Sequence, residues 1–214
     1  MIIFLGVIEY VTMEEEYIKF KAHWEKSPAL PVRFIQILNH WRNILYGYNL
    51  IGAQPDGIGF GNISQRFGHT NHFIISGSGT GKFDALKPDH YSLVTEIDIQ
   101  NNKLKCSGPI IASSESMSHG TIYQECKDIC GVIHVHDKSL WNTLLHKVPT
   151  TNKKATYGTP EMAFEIIRLL HETDALEKKI IIMEGHEEGI FTFGKNLDEA
   201  GGILIHHYKT LSSH

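Results

Sequence analysis

Gly131-Val132-Ile133-His134-Val135-His136 is the stretch on which the reading of this chain turns. Val132, Ile133 and Val135 give it the apolar, β-branched character of a buried strand. Side chains two apart on a strand share a face, so His134 and His136 project together. Two neutral imidazoles are costly to bury side by side unless something uses their lone pairs, and a divalent ion does so at about 2.0–2.1 Å. His-x-His is also common among surface and hydrogen-bonded core histidines, and on these residues alone that reading stands beside the metal.

Outward from this strand, helices and strands interleave. Upstream, residues 115–128 have helical character behind Ser113-Ser114. Leu93 to Ile99 reads as a strand, Asn101-Asn102 as a turn before Leu104, and Phe73-Ile74-Ile75 as a short strand after Asn62-Ile63-Ser64. Phe34, Ile37, Leu38, Trp41 and Leu45 recur at helical spacing over 32–46, which marks a core-packed helix. Residues 1–11 are strand-like. Glu14-Glu15-Glu16 opens a charged helical stretch with Tyr17, Phe20 and Trp24, broken by Ser27-Pro28 and Pro31. Downstream, a helix carries Leu140, Trp141 and Leu144, and Thr159-Pro160 starts another through Leu170. Ile180–Met183 and Ile190–Phe193 are strands, and a last helix over 196–210 is capped by Asn196 or Asp198. The pattern predicts one α/β domain over 1–214 around a mixed or antiparallel sheet.

Composition narrows the function. Lys+Arg 20 against Asp+Glu 24 gives a net charge of −4, which offers no bulk attraction to nucleic acid or anionic lipid. The apolar start lacks a basic leader and is interrupted by Glu9, well short of the ~20 residues that span a bilayer. Three cysteines, an odd number in a chain large enough to hold a core, favour a reducing compartment, and a cytoplasmic location is expected. Cys126 and Cys130, four apart on the helical stretch, read as small core residues. Lys138, His146 and His171 are single residues on helices, expected at the surface.

Three more segments carry possible chemistry. In Gly185-His186-Glu187-Glu188-Gly189 the glycines remove bulk and let His186 approach a site closely, or the segment is a polar hairpin turn with an exposed histidine. Ala112-Ser113-Ser114-Glu115 stands at a helix start, where free N–H groups favour an anion, yet on this segment alone Glu115 reads first as an ordinary first-turn acid completing a cap. The run Ser76-Gly77-Ser78-Gly79-Thr80-Gly81-Lys82 fails as a P-loop. Only three residues separate Gly77 from Gly81-Lys82, and Phe83 follows. Its spacing fails the dinucleotide fingerprint as well, and what survives is a nest suited to one phosphate.

Taken in order, Gly61-Asn62-Ile63-Ser64, Ser76-Gly77-Ser78-Gly79, Ser113-Ser114-Glu115, His134-Val135-His136 and Gly185-His186 resemble the class II aldolase/adducin superfamily, over about residues 57–205. The first 50 residues match only loosely. The resemblance implies a three-layer α/β sandwich with a central, mostly antiparallel sheet, assembled as a homotetramer with sites at subunit interfaces. It implies His134, His136 and His186 as ligands of one divalent ion per chain, normally Zn2+, and Glu115 as ligand and acid/base. It implies Gly61, Asn62, Ser78, Gly79, Ser113 and Ser114 as the seat of a substrate phosphate. The activity implied is a metal-dependent lyase acting on a small phosphorylated ketose. Dehydration or epimerisation on the same site, or an adducin-like module without catalysis, are the alternatives. Glu rather than Asp at position 115 resembles the aldolases and dehydratases more than the epimerases. One departure concerns Val148-Pro149, which reaches Ala155-Thr156-Tyr157-Gly158-Thr159 after five residues. The segment that in the aldolases donates a tyrosine to the neighbouring subunit is therefore shortened, and Tyr157 is the nearest aromatic. The chain given also ends soon after its last helix, with little of the tail that closes over substrate in some relatives. Glu187 and Glu188 stand beside His186 without an assigned role.

Overall fold

The computed structural model describes residues 19–212. The expected strand over 1–11 and the helix start at Glu14-Glu15-Glu16 lie outside the described residues. In chain order come strand β1 (Lys21–Lys26), helix α1 (Gln36–Gly47), the two-residue strands β2 (Gly52–Ala53) and β3 (Gly59–Phe60), then β4 (Asn62–Arg66), β5 (Phe73–Ser76), β6 (Tyr91–Asp98) and β7 (Lys103–Gly108). Helix α2 (Ser116–Glu125), strand β8 (Gly131–His136), helices α3 (Lys138–Leu144), α4 (Pro160–Glu172) and α5 (Ala175–Lys178) follow. Strands β9 (Ile180–Ile182) and β10 (Gly189–Gly194) and helix α6 (Leu197–Ser212) complete the order.

Eight strands form one sheet in the order β1-β7-β6-β5-β4-β8-β10-β9, every pairing antiparallel except β1 with β7. Helices cover both faces, as the sandwich reading requires. Period-2 alternation on β8 sorts the two cores. Val132 packs with Met117, Ile122 and Tyr123 of α2 and Met162 and Ile166 of α4. Ile133 and Val135 pack with Leu38 and Leu45 of α1, Leu140 of α3 and Leu204 of α6. His134 and His136 therefore face the α2/α4 side, toward the residues that open α2.

The two ends of α2 are held by different means. At its C-terminus the Arg66 guanidinium donates to the carbonyls of Tyr123 (2.7 Å), Cys126 (2.8 Å) and Ile129 (2.8 Å), satisfying groups that lack helical partners. That charge at the helix end also suits the helix dipole. It stops the helix at Glu125, so Cys126 is the residue that ends it and Cys130 lies beyond, contrary to the expectation of one helix under both.

A second correction falls on Phe20 and Trp24. They are not helical: Trp24 lies on β1, paired in parallel with β7, and its indole Nε1 donates to the Gly108 carbonyl at 3.0 Å. Phe20, Ala22 and Trp24 all pack into the same core, a period-2 set. A spacing of four fits both a helix face and a strand face, and the open edge of β7 decided between them. Of the three residues expected on helices at the surface, Lys138 and His171 are helical, whereas His146 follows α3 at φ 59°, and all three are exposed. Asn196 caps α6 by accepting from the Glu199 N–H at 2.8 Å, while Asp198 accepts from the Trp41 indole at 2.7 Å. No helix among the described residues is long and apolar enough to cross a membrane.

The α1–α6 contact gives a paired test. A Cβ at Gly201 would stand 2.2 Å from the Trp41 ring, whereas nothing lies within 4 Å of one at Gly202. Gly201→Ala should lose about 1–3 kcal/mol through overpacking, and Gly202→Ala should gain up to about 1 kcal/mol from helix propensity. Urea midpoints of the two variants measure the difference.

Candidate metal centre

His134 and His136 come from the end of β8, and His186 from the connection between β9 and β10. The closeness of that connection rests on its glycines. A Cβ at Gly185 would sit 1.9 Å from the Ala155 carbonyl oxygen, and one at Gly189 would sit 2.7 Å from the His186 ring. With those atoms absent, the Nε2 atoms of His134 and His136 stand 3.2 Å apart and those of His136 and His186 stand 3.0 Å apart. The three residues form a group whose ligand atoms all lie within 4.8 Å. Two nitrogens bound tetrahedrally at 2.0–2.1 Å from one ion would be about 3.3 Å apart, so this set fits a divalent cation such as zinc.

Glu115 lies just before α2 and is 2% exposed. It does not cap the helix. Its Oε2 accepts from Ser118 Oγ at 2.9 Å, and its buried Oε1 has no hydrogen-bond partner and stands 3.8 Å from His186 Nε2. An orphaned buried carboxylate oxygen beside three converging imidazoles is costly unless a proton or a cation meets it. Glu115 is not a member of the ligand group itself; it borders it.

The cavity in front of these groups measures about 720 Å³. Its walls include Gly61, Asn62, Ser78, Gly79, Ser113, Ser114, Glu115, His134, His136 and His186, so the residues that the resemblance implies for metal and phosphate meet there. Gly61 begins this wall at φ 72°, and a Cβ there would stand 3.1 Å from the His134 carbonyl. Glu187 and Glu188 take no part in the lining: Glu187 pairs with Lys138 at 3.3 Å, and Glu188 turns the chain at φ 70°.

Four residues of the site were not assigned from the sequence. Arg42 on α1 is buried and donates to the carbonyls of Gly81 (3.1 Å), Phe83 and Asp84 (2.7 Å), which pins the glycine-rich loop from behind. Tyr157 lines the cavity with its ring 4.5 Å from that of His186. Lys19 places its ammonium 3.8 Å over the Tyr157 ring. His119 on α2 is fully buried, 2.6 Å from Asn62 Oδ1 and 2.6 Å from Ser64 Oγ. Arg42 falls on the apolar stripe of α1 and His119 inside a helix of mixed polarity, so neither had a local signature.

Burial sets the charge states. It lowers the pKa of His136 to about 4 and those of His186 and His119 to about 3, and together with the neighbouring imidazoles lowers that of His134 well below the usual value. Four neutral imidazoles follow, the form in which histidine binds metal. Burial pushes Glu115 up to about 7, against the pull of the Ser118 hydrogen bond and the Lys19 charge.

The sequence profile of the Class II Aldolase and Adducin N-terminal domain family matches residues 53–211. L-fuculose-1-phosphate aldolase from Thermus thermophilus superposes with a TM-score of 0.62 at 22% identity, over 85% of this chain and 92% of that one. A sugar-phosphate aldolase from Thermotoga maritima gives 0.65 at 15% identity, over 85% and 93%. L-fuculose 1-phosphate aldolase from Glaciozyma antarctica PI12 gives 0.59 at 17%, over 85% and 71%. Among curated protein sequences none matches. Fold and site together define an α/β sandwich of the class II aldolase type, with a histidine cluster able to hold a divalent metal. The chain belongs to the class II aldolase and adducin N-terminal domain family.

The pH dependence of stability tests the neutral cluster. Between about pH 3 and 6.5 the unfolded chain protonates its histidines while the folded one keeps these four neutral, so stability falls as pH falls. Glu115 acts oppositely: from pH 4.5 to about 7 the folded form keeps a proton the unfolded form has shed, and that contribution is lost as pH rises through about 7. Four groups outweigh one. Chelator-treated protein should therefore have a lower urea midpoint at pH 5 than at pH 6.5, corresponding to a loss of up to about 2 kcal/mol per fully shifted histidine. A level midpoint overturns the assignment.

Proposed function

We propose that the protein is a metal-dependent lyase that makes or breaks a carbon–carbon bond in a small phosphorylated ketose. One divalent ion per chain, zinc in the first instance, is held by His134, His136 and His186. The observation that carries this reading is the convergence of three imidazole Nε2 atoms beside the orphaned Oε1 of Glu115, in a cavity that also holds three anion-suited segments. Such an ion supplies Lewis-acid stabilisation of charge developing on a carbonyl and its neighbouring hydroxyl.

The chain's own residues do the rest. In the condensation direction Glu115 Oε1 takes the proton from the carbon next to the ketose carbonyl, and in the cleavage direction it returns one. A carboxyl pushed up to about 7 suits that exchange, because proton transfer is fastest when donor and medium are matched. The Ser118 hydroxyl holds Oε2 and leaves Oε1 facing the cavity. The substrate phosphate sits among the Ser78, Ser113 and Ser114 hydroxyls, the Asn62 amide and the backbone of Gly61 and Gly79. The loop carbonyls of Gly81, Phe83 and Asp84 turn back to Arg42, which keeps them away from an incoming anion. Tyr157, against His186, is the nearest candidate for the second acid.

The resemblance also supports a homotetramer with sites at subunit interfaces, and the three free thiols support the cytoplasm.

Purified protein should carry close to one divalent metal per chain, and His134→Ala should lose it, as read by elemental analysis. Glu115→Gln should keep most of the metal and lose about 10²–10⁴-fold in turnover. Dihydroxyacetone phosphate with a panel of aldehydes should give condensation products. Release of water with the carbon chain intact would move the protein to the dehydratases, and inversion of a hydroxyl to the epimerases. A parent that stays empty when zinc is offered overturns the enzymatic reading in favour of a binding module.

A further inference from the structure

We infer that Tyr123, Ser64 and His119 form a one-directional hydrogen-bond relay that fixes the Asn62 amide with its NH2 group facing the cavity, making His119 a positioning residue for anion binding. The inference rests on the reading of Asn62 as part of the phosphate seat and goes beyond it by assigning what sets that seat's polarity.

The geometry is a single line of contacts. Tyr123 Oη lies 2.8 Å from Ser64 Oγ, which lies 2.6 Å from His119 Nδ1, and His119 Nε2 lies 2.6 Å from Asn62 Oδ1. Ser64 and His119 are fully buried, as is Tyr123, so no bulk water competes for these atoms. The direction of donation follows from counting protons. Among the described residues the buried Tyr123 hydroxyl has one hydrogen-bond partner, Ser64 Oγ, so its proton goes unpaired unless it is given to Ser64. Ser64 must then give its proton to His119 Nδ1. An Nδ1 that accepts leaves the hydrogen of the neutral ring on Nε2, and Nε2–H donates to the Asn62 carbonyl oxygen. The Asn62 oxygen is thereby engaged, and its two N–H donors are turned to the cavity that Asn62 lines.

The reverse direction would present an amide oxygen instead, which repels a phosphate. An isolated asparagine has little preference between these orientations, because its oxygen and NH2 group are nearly the same size. The relay supplies the preference from the buried Tyr123 hydroxyl, whose proton has only Ser64 to go to among the described residues. Asn62 pairs with His134 in the sheet, so the seat is set next to the metal centre by the same ladder.

Two measurements test this in the intact, metal-loaded protein. In protein labelled with 15N-histidine, the long-range proton–nitrogen spectrum should show His119 as the Nε2–H tautomer, and an Nδ1–H tautomer overturns the relay. Binding of inorganic phosphate is then compared among variants with parental metal content. His119→Leu should bind phosphate about tenfold or more weakly, the loss of an oriented hydrogen bond to a charged ligand, and His119→Gln, whose amide N–H reaches the same place, should recover most of it. Equal affinity in His119→Leu and the parent overturns the relay. Asn62→Asp separates the two levels: if it binds phosphate as the parent does, the phosphate seat itself is wrong. If it loses binding while His119→Leu does not, the seat stands and the relay falls.

Discussion

Three imidazoles with lone pairs aimed at one point and 3.0–3.2 Å between neighbouring nitrogens form an arrangement that folding alone does not favour. Each buried nitrogen without a donor costs about 1–3 kcal/mol, and the carboxylate oxygen beside them adds to that. The surrounding structure therefore has to impose it. Sheet pairing fixes His134 and His136 on one face of β8. The β9–β10 turn, free of side chains at Gly185 and Gly189, brings His186 to meet them.

Helix α2 is the second element on which the site depends. Arg66 draws together the carbonyls at its far end, which anchors the helix against β4. The residue that would cap the helix is Glu115, yet its side chain turns toward the histidines. Ser113 supplies the local bonds instead, its Oγ accepting from the Glu115 N–H at 3.4 Å and its carbonyl accepting from Ser116 Oγ at 2.6 Å. Helix stability is given up at one position in exchange for a carboxyl whose proton affinity lies close to neutral pH. The opposite sheet face, packed by α1, α3 and α6, reaches the site through Arg42, which carries a buried charge to the back of the glycine-rich loop.

Much of this was legible in the chain. The period of two in Val132-Ile133-His134-Val135-His136 determined both a buried strand and a shared face for its histidines. Thr159-Pro160 and Asn196 marked helix starts through chemistry local to a few residues. The glycines around His186 allowed a close approach as readily as an exposed turn, and the serines before α2 suited an anion as well as a cap.

What only the tertiary structure decided involves partners far apart in sequence. Phe20 and Trp24 fit a helix and a strand equally well by spacing, and the exposed edge of β7 chose the strand. Glu115 suits a cap by local rules, and the histidines of β8 and the β9–β10 turn gave it another environment. His119 and Arg42 carry no signal of their own, because their meaning lies in Asn62 and Gly81, 57 and 39 residues away. The sequence by itself determined which faces are apolar and where elements begin, since those follow from each residue and its near neighbours. Which polar groups meet, and with what charge, was set by burial, because desolvation depends on everything that packs around them.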